Sequence, residues 1–296
     1  MSSRDATAAG LGYALLAYGA WGVFPLFWKQ LRGIPPLELV AHRVTWACVV
    51  YLAIVWLRRR APEVKAGLRD GATLRTIVPA TLMVGTNWLV FIYAVVTDRV
   101  LHASLGYFLN PLVSVLLGML FLGERLRRAQ WIAVGLASLG VLSLAGLAEG
   151  FPWIGLVLAL TFGAYGLLRK VAPVDGLVGA SIESLLLVPV AVGYLLWLAA
   201  AGEGAMGHEG ARIDLLLVTA GLVTALPLLW FANAARRLPL RTLGFMQYIV
   251  PTMQLALAVL VFDEPFTDLH LRGFGLIWLG VAVFTLESWW QATRRR

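Results

Sequence analysis

The sequence predicts an all-α integral membrane protein of ten transmembrane helices, arranged as two inverted five-helix repeats. Three observations predict it. Of the 296 residues, 60% are hydrophobic and only 14% charged, with a mean hydropathy of +0.80; a soluble domain carries about 25% charged residues. Ten apolar runs are each near the ~20 residues a helix needs to cross the hydrocarbon core. The chain also matches itself after a shift of about 140 residues.

The ten runs are 11–28, 37–57, 76–97, 103–122, 129–148, 151–168, 176–201, 215–235, 242–262 and 273–290. Strands of a transmembrane barrel would be shorter and alternately polar, which these are not. The first run is too long for most signal-peptide cores and no small-residue cleavage site closes it, so it is expected to stay as a membrane helix. The connections are short and carry breaker signals, such as Arg32-Gly33-Ile34-Pro35-Pro36 and Ala172-Pro173-Val174-Asp175-Gly176. The longest, the basic 58–75 and the Gly-rich 202–214, are too short for a separate domain.

The net charge of +8 does not point to nucleic acid, because the basic residues fall in short runs between apolar blocks. Such runs set topology, since Lys and Arg accumulate on the cytoplasmic side. With the N-terminus inside, eighteen Lys and Arg fall on the inner side and five on the outer. Both termini are therefore expected in the cytoplasm.

At the 140-residue shift, residues 85–141 lie over 225–281 without a gap. Pro111 meets Pro251, Glu124 meets Glu264, Gly135 meets Gly275, and Gly140-Val141 meets Gly280-Val281. Matches of Pro, Glu and Gly punctuate helices and loops, so they carry more weight than matches of Leu. Tyr18-Gly19-Ala20-Trp21-Gly22 also resembles Phe162-Gly163-Ala164-Tyr165-Gly166. Repeat one spans about 11–148 and repeat two about 151–290. An odd number of helices per repeat inverts the second copy, a design found in many secondary transporters and suited to alternating access.

A charge in mid-membrane is costly, about 2.5–3.5 kcal/mol or more, and so needs a reason. Arg43 lies some six residues into the second run, with Glu38 and His42 nearby on one face. Its guanidinium could anchor a carboxylate or phosphate of a solute, or else snorkel or pair with Glu38. Glu183 occupies the repeat position of Arg43. It suits either proton coupling or a structural bond to a neighbouring helix. Asn87-Trp88 and Tyr93 in the third run, Tyr107, Asn110 and Pro111 in the fourth, and Gln247-Tyr248, Pro251 and Gln254 in the ninth set amides beside aromatics and prolines. Such co-location favours a ligand cavity, although each amide alone would serve equally as an interhelical hydrogen bond. Gly135, Gly140, Gly275 and Gly280 are expected to permit close helix packing, and Trp56, Trp289 and Trp290 to anchor at the interface. Pro189 and Pro227 are candidate hinges or kinks.

Several chemistries are absent. No Walker A motif encodes an ATP drive, and His208-Glu209 is not followed by the second His of a zinc pair. With four His and one Cys, Cys48, no metal site or cofactor is expected. No catalytic set emerges from spacing, so the chain is not expected to be an enzyme. The rival reading, a membrane-embedded enzyme on lipid-linked substrates, would show clustered acids or His at an interface; only Asp263-Glu264 with Asp268 approaches that.

Several segments together resemble the RarD branch of the EamA-type transporters, in the drug/metabolite transporter superfamily. They are Glu38 with His42-Arg43, Gly85-Thr86-Asn87-Trp88, Ala103-Ser104-Leu105-Gly106-Tyr107-Phe108-Leu109-Asn110-Pro111 and Gly123-Glu124-Arg125-Leu126, then Tyr165 to Lys170 and Leu243 to Thr252. The resemblance runs from about residue 10 to 290. It implies ten helices in two inverted repeats, a multi-pass protein of the bacterial inner membrane, both termini inside, and transport of small metabolites or drug-like solutes, by efflux. The family label carries a link to chloramphenicol sensitivity. RarD proteins often carry an acid just before Ala-Ser-Leu-Gly-Tyr, where this chain has His102, so no role of that acid transfers. The expected partners are the lipid bilayer and a small solute, anionic or zwitterionic if Arg43 recognises it. The residues expected at the substrate or coupling site are Arg43, Asn87, Trp88, Tyr107, Asn110, Glu183, Gln247 and Tyr248.

Overall fold

A computed structural model describes residues 3–122, 128–144, 151–235, 237–238 and 246–294. Every regular element among the described residues is a helix. In chain order they are α1 (Ser3–Lys29), α2 (Pro36–Leu57), α3 (Ala61–Gly67), α4 (Gly71–Val96), α5 (Val100–Leu122), α6 (Arg128–Leu144), α7 (Trp153–Val171), α8 (Gly176–Ala201), α9 (Ala211–Ala235), α10 (Ile249–Leu260) and α11 (Asp268–Arg294). An all-helical chain satisfies its backbone hydrogen bonds within each segment, as the bilayer core requires.

Among the described residues, seven helices are long and apolar enough to cross a membrane, and eight if α5 is counted as one bent span. The bend is 41° between Val100–Asn110 and Leu112–Phe121, at Pro111. A proline removes one backbone donor and crowds the preceding turn, which accounts for a kink there. The other interior prolines, Pro25, Pro79, Pro189 and Pro227, sit in helices that run on through them. Two of the ten expected runs form shorter apolar helices, α6 and α10. Parts of those two runs, 145–148 and 242–245, lie outside the described residues, as does Glu124.

One element was not expected: α3, in the basic segment 58–75. Val64 of α3 packs with Val55, Ile77, Val178 and Ile182, and a Cβ on Gly67 would meet the Ile182 side chain. Arg60 and Asp175, the residues just before α3 and α8, join this end of the bundle by an ion pair. The Asp175 carboxylate also accepts the N–H groups of Leu177 and Val178 at 3.0 and 3.1 Å and so caps α8.

The helices pack largely between the two halves of the chain. α6 lies against α11, α5 and α4 against α7, α2 against α8 and α9, and α1 against α9 and α10. The α6–α11 contact is backbone-close. A Cβ on Gly140 would sit 2.7 Å from the Gly273 carbonyl oxygen, and one on Gly280 would sit 2.7 Å from that of Ala133. Gly135 and Gly275 differ from the expectation: nothing lies within 4 Å of a Cβ at either. They share the repeat spacing but turn away from the helix pair.

Candidate functional site

The site is built on α2. Pro35 and Pro36 begin this helix, since Pro fits the first turn, where its missing N–H costs nothing. Arg43 lies about two turns in and is 5% exposed. Its guanidinium carbon stands 4.4 Å from the ring centroid of Trp88 on α4 and 5.6 Å from that of Trp28 on α1. Tyr107 of α5 and Tyr51, two turns further along α2, lie within its electrostatic reach. Cation–π contact stabilises a desolvated guanidinium by about 0.5–2 kcal/mol, well short of what a counter-ion would supply.

No counter-ion is present among the described residues. Arg43 makes no ion pair and no hydrogen bond among the described residues, and its Nε is buried without a partner. It does not pair with Glu38. That carboxylate is 1% exposed and accepts the Ala205 N–H at 2.6 Å, with His42 Nε2 3.9 Å away. A buried guanidinium carries five donors and a full charge, so its want of an acceptor here is unusual.

The other expected residues divide into three groups. Asn87, Trp88 and Tyr107 join Arg43. Asn87 is buried and ties α4 to α7, donating to the Leu158 carbonyl at 3.1 Å and Thr161 Oγ1 at 3.0 Å. Its own oxygen accepts the Tyr107 hydroxyl at 3.4 Å, so it orients that phenol. Tyr107 also meets Phe91 and Phe162 edge-on. Asn110, one turn on, is buried with its side-chain oxygen unpartnered.

Glu183 forms a second group. It is 3% exposed, faces Arg169 Nε at 3.5 Å and accepts the Tyr165 hydroxyl at 3.2 Å. Arg169 lies inside α7 with its side chain 15% exposed, and packs flat over Gly179, where any Cβ would collide with it. Tyr51, whose buried hydroxyl has no hydrogen-bond partner, is in electrostatic reach of both Arg43 and Glu183. It bridges the two groups. Gln247 and Tyr248 form the third. Tyr248 stacks on Phe108 at 6.5 Å, next in sequence to Tyr107, within a ladder that includes Phe274 and Trp278. Gln247 is half-buried and makes no polar contact with Arg43. Gln254 is spent on structure, donating to the Trp21 carbonyl at 3.2 Å.

Three participants were not singled out from the sequence: Trp28, Tyr51 and Arg169. Tyr51 had a signal, because 43, 47 and 51 share one face of α2. Trp28 ends an apolar run, where an interfacial tryptophan is the default, yet it is fully buried. Arg169 sits among residues that read as a loop charge.

A cavity of about 290 Å³ lies apart from Arg43. Its walls are residues 97–99, 101–102 and 151–154 with Glu264 and Pro265. Glu264 closes its floor by accepting the N–H groups of Val100 and Leu101, each at 2.7 Å, so it caps the start of α5. Burial pushes this carboxyl up from its ordinary value, against the pull of those two N–H groups and of Lys29. Beside it Asp98 pairs with Lys29 and, at 2.6 Å, with Arg32.

Comparison with known proteins decides the family. Residues 8–146 match the EamA-like transporter family. Protein RarD of Streptomyces exfoliatus is 43% identical over 297 residues, covering 100% of this chain and 94% of that one. The chain belongs to the RarD branch of the EamA-like transporters. An uncharacterized transporter of Vibrio cholerae is 43% identical over 279 residues, covering 94% of this chain and 92% of its own length. A solved crystal structure at 21% identity superposes with a TM-score of 0.59 over 96% of this chain and 99% of that one, which speaks for the fold alone. Family and helices together make this RarD-type chain a multi-pass protein of the inner membrane that transports a small molecule.

Proposed function

We propose that the chain is a secondary transporter that exports a small metabolite or drug-like solute with a carboxylate or similar anionic group, zwitterions included. Two inverted repeats, about 11–148 and 151–290, exchange an inward-open for an outward-open form. One observation carries the solute class: the buried guanidinium of Arg43 has aromatic walls and, among the described residues, no counter-ion. Leaving a charge unpaired in low dielectric costs several kcal/mol, and an anionic solute removes that cost on binding. The indoles of Trp88 and Trp28 and the phenol of Tyr107 would hold the apolar part of the solute, as in other small-molecule sites. Asn87 positions Tyr107, and Asn110 offers a free acceptor on the same helix. Gln247 and Tyr248 extend the lining towards α10. Glu183 with Arg169 closes the other end of the path through Tyr51.

The test compares metabolites in medium and cells for bacteria making wild-type protein, Arg43→Gln, Arg43→Lys or no protein. An acidic solute enriched in the medium only with wild-type, and less so with Arg43→Lys, is the expected result. A solute exported equally by Arg43→Gln would remove Arg43 from the site. Enrichment inside the cells would reverse the direction.

A further inference from the structure

α2 carries a second buried polar group that solute recognition does not use. His42 is 3% exposed, and neither of its ring nitrogens has a hydrogen-bond partner among the described residues. A neutral imidazole offers one donor and one acceptor, and burying both unpaired is costly. The nearest acceptor is Glu38 Oε1, 3.9 Å from Nε2 and one turn back on the same helix. At that distance the neutral ring gains no hydrogen bond. A protonated ring gains the full attraction of a carboxylate that is itself 1% exposed.

Burial opposes that proton most strongly, and the surrounding charges favour it on one side and oppose it on the other. From α9, Asp214 adds negative potential at His42. From the α8 side, Tyr194 lies within electrostatic reach of both Glu38 and Glu203. α4 has only Arg75 and Tyr93 as titratable groups, near its two ends, and offers Trp88 to Arg43. Arg43 follows His42 directly in the chain, and its positive charge opposes a second one beside it.

We infer that His42, with Glu38 as its counter-ion, is a reversible proton-binding site linked to anion binding at Arg43. The link rests on the transporter reading above; the proton site does not. A proton from water adds to Nε2, while Glu38 Oε1 keeps its bond from Ala205. An anion docked on Arg43 cancels the charge that opposes the proton. Proton and anion therefore bind together, and by linkage each tightens the other equally. An acidic metabolite accumulated in the cell would leave with a proton, driven by its own gradient.

The test is a histidine NMR titration of the full-length protein in lipid nanodiscs, from about pH 4 to 9. The chain has four histidines, so the His42 signal is the one lost in His42→Gln. Wild-type His42 is expected to gain a proton within this range. Glu38→Gln should weaken its hold by about tenfold, and Arg43→Gln, which imitates neutralisation by an anion, should strengthen it by about tenfold. Arg43→Lys should behave as wild-type. Arg43→Met repeats the neutralisation where Arg43→Gln does not fold, judged by the other three histidine signals. A wild-type His42 with one protonation state throughout overturns the site, and a midpoint indifferent to loss of the Arg43 charge overturns the link. Neither outcome depends on finding an exported solute, so failure here and failure of the transport test are separate results.

Discussion

A single carboxylate shows how one residue can hold two halves of the chain together. Glu264 follows α10, yet both its oxygens accept N–H groups from the first turn of α5, 163 and 164 residues away. No helix residue of α5 can supply those acceptors, because the first N–H groups of a helix point away from it. Glu264→Ala leaves two buried donors unpaired, at a cost of about 1–3 kcal/mol each. The expected result is a fall in melting temperature in detergent for Glu264→Ala, with Glu264→Gln intermediate because its amide keeps one acceptor oxygen. Equal melting of all three would show that water replaces the carboxylate. The same contrast between partner and position explains what was legible at the site. Arg43 and Glu183 stand out in sequence because a charge in an apolar run is conspicuous. Their partners do not, because Trp28, Tyr51 and Arg169 are chosen by tertiary packing, and only Tyr51 lies on a face that periodicity defines.

Whole elements were more legible than contacts. The apolar runs mark α1, α2, α4, α5, α7, α8, α9 and α11, because membrane insertion selects length and hydropathy directly. α3 was missed since its seven residues include Glu63 and Lys65, and its helix depends on Val64 reaching a pocket formed by distant helices. The glycines make the same point within one pair of helices. Gly135 and Gly140 have identical repeat partners, but only Gly140 and Gly280 face the α6–α11 contact. Gly140→Ala would place a methyl group against the Gly273 backbone oxygen, and the helices would have to separate. Gly135→Ala meets open space and gains helix propensity, about 1 kcal/mol in a soluble helix. Measured as loss of folded protein on heating, Gly140→Ala should be destabilised and Gly135→Ala should match or exceed wild-type. The reverse order would mean that α6 is rotated relative to α11.

At the scale of the whole molecule the open quantity is how many helices cross. α6 has 17 residues, or about 26 Å at 1.5 Å per residue, against a hydrocarbon core of about 30 Å. Such a helix spans if the bilayer thins locally or if its flanking residues snorkel, at fractions of a kcal/mol per Å of mismatch. The basic segment around α3 and the loop before α9 bracket the question, because α4 to α8 lie between them. If all five cross, Lys65 and Glu209 face opposite sides; if α6 does not, they face the same side. The charge distribution favours five crossings, because eighteen of the Lys and Arg then fall on the N-terminal side. Cys48 is the only cysteine and is buried, so Cys48→Ala gives a clean background. In that background, Lys65→Cys and Glu209→Cys each place a thiol at an exposed position. A membrane-impermeant maleimide on intact spheroplasts should label Glu209→Cys, and should reach Lys65→Cys only after lysis. Labelling of both without lysis would reduce the number of crossings between them to an even one. That result would also remove the inversion on which the two-repeat exchange depends.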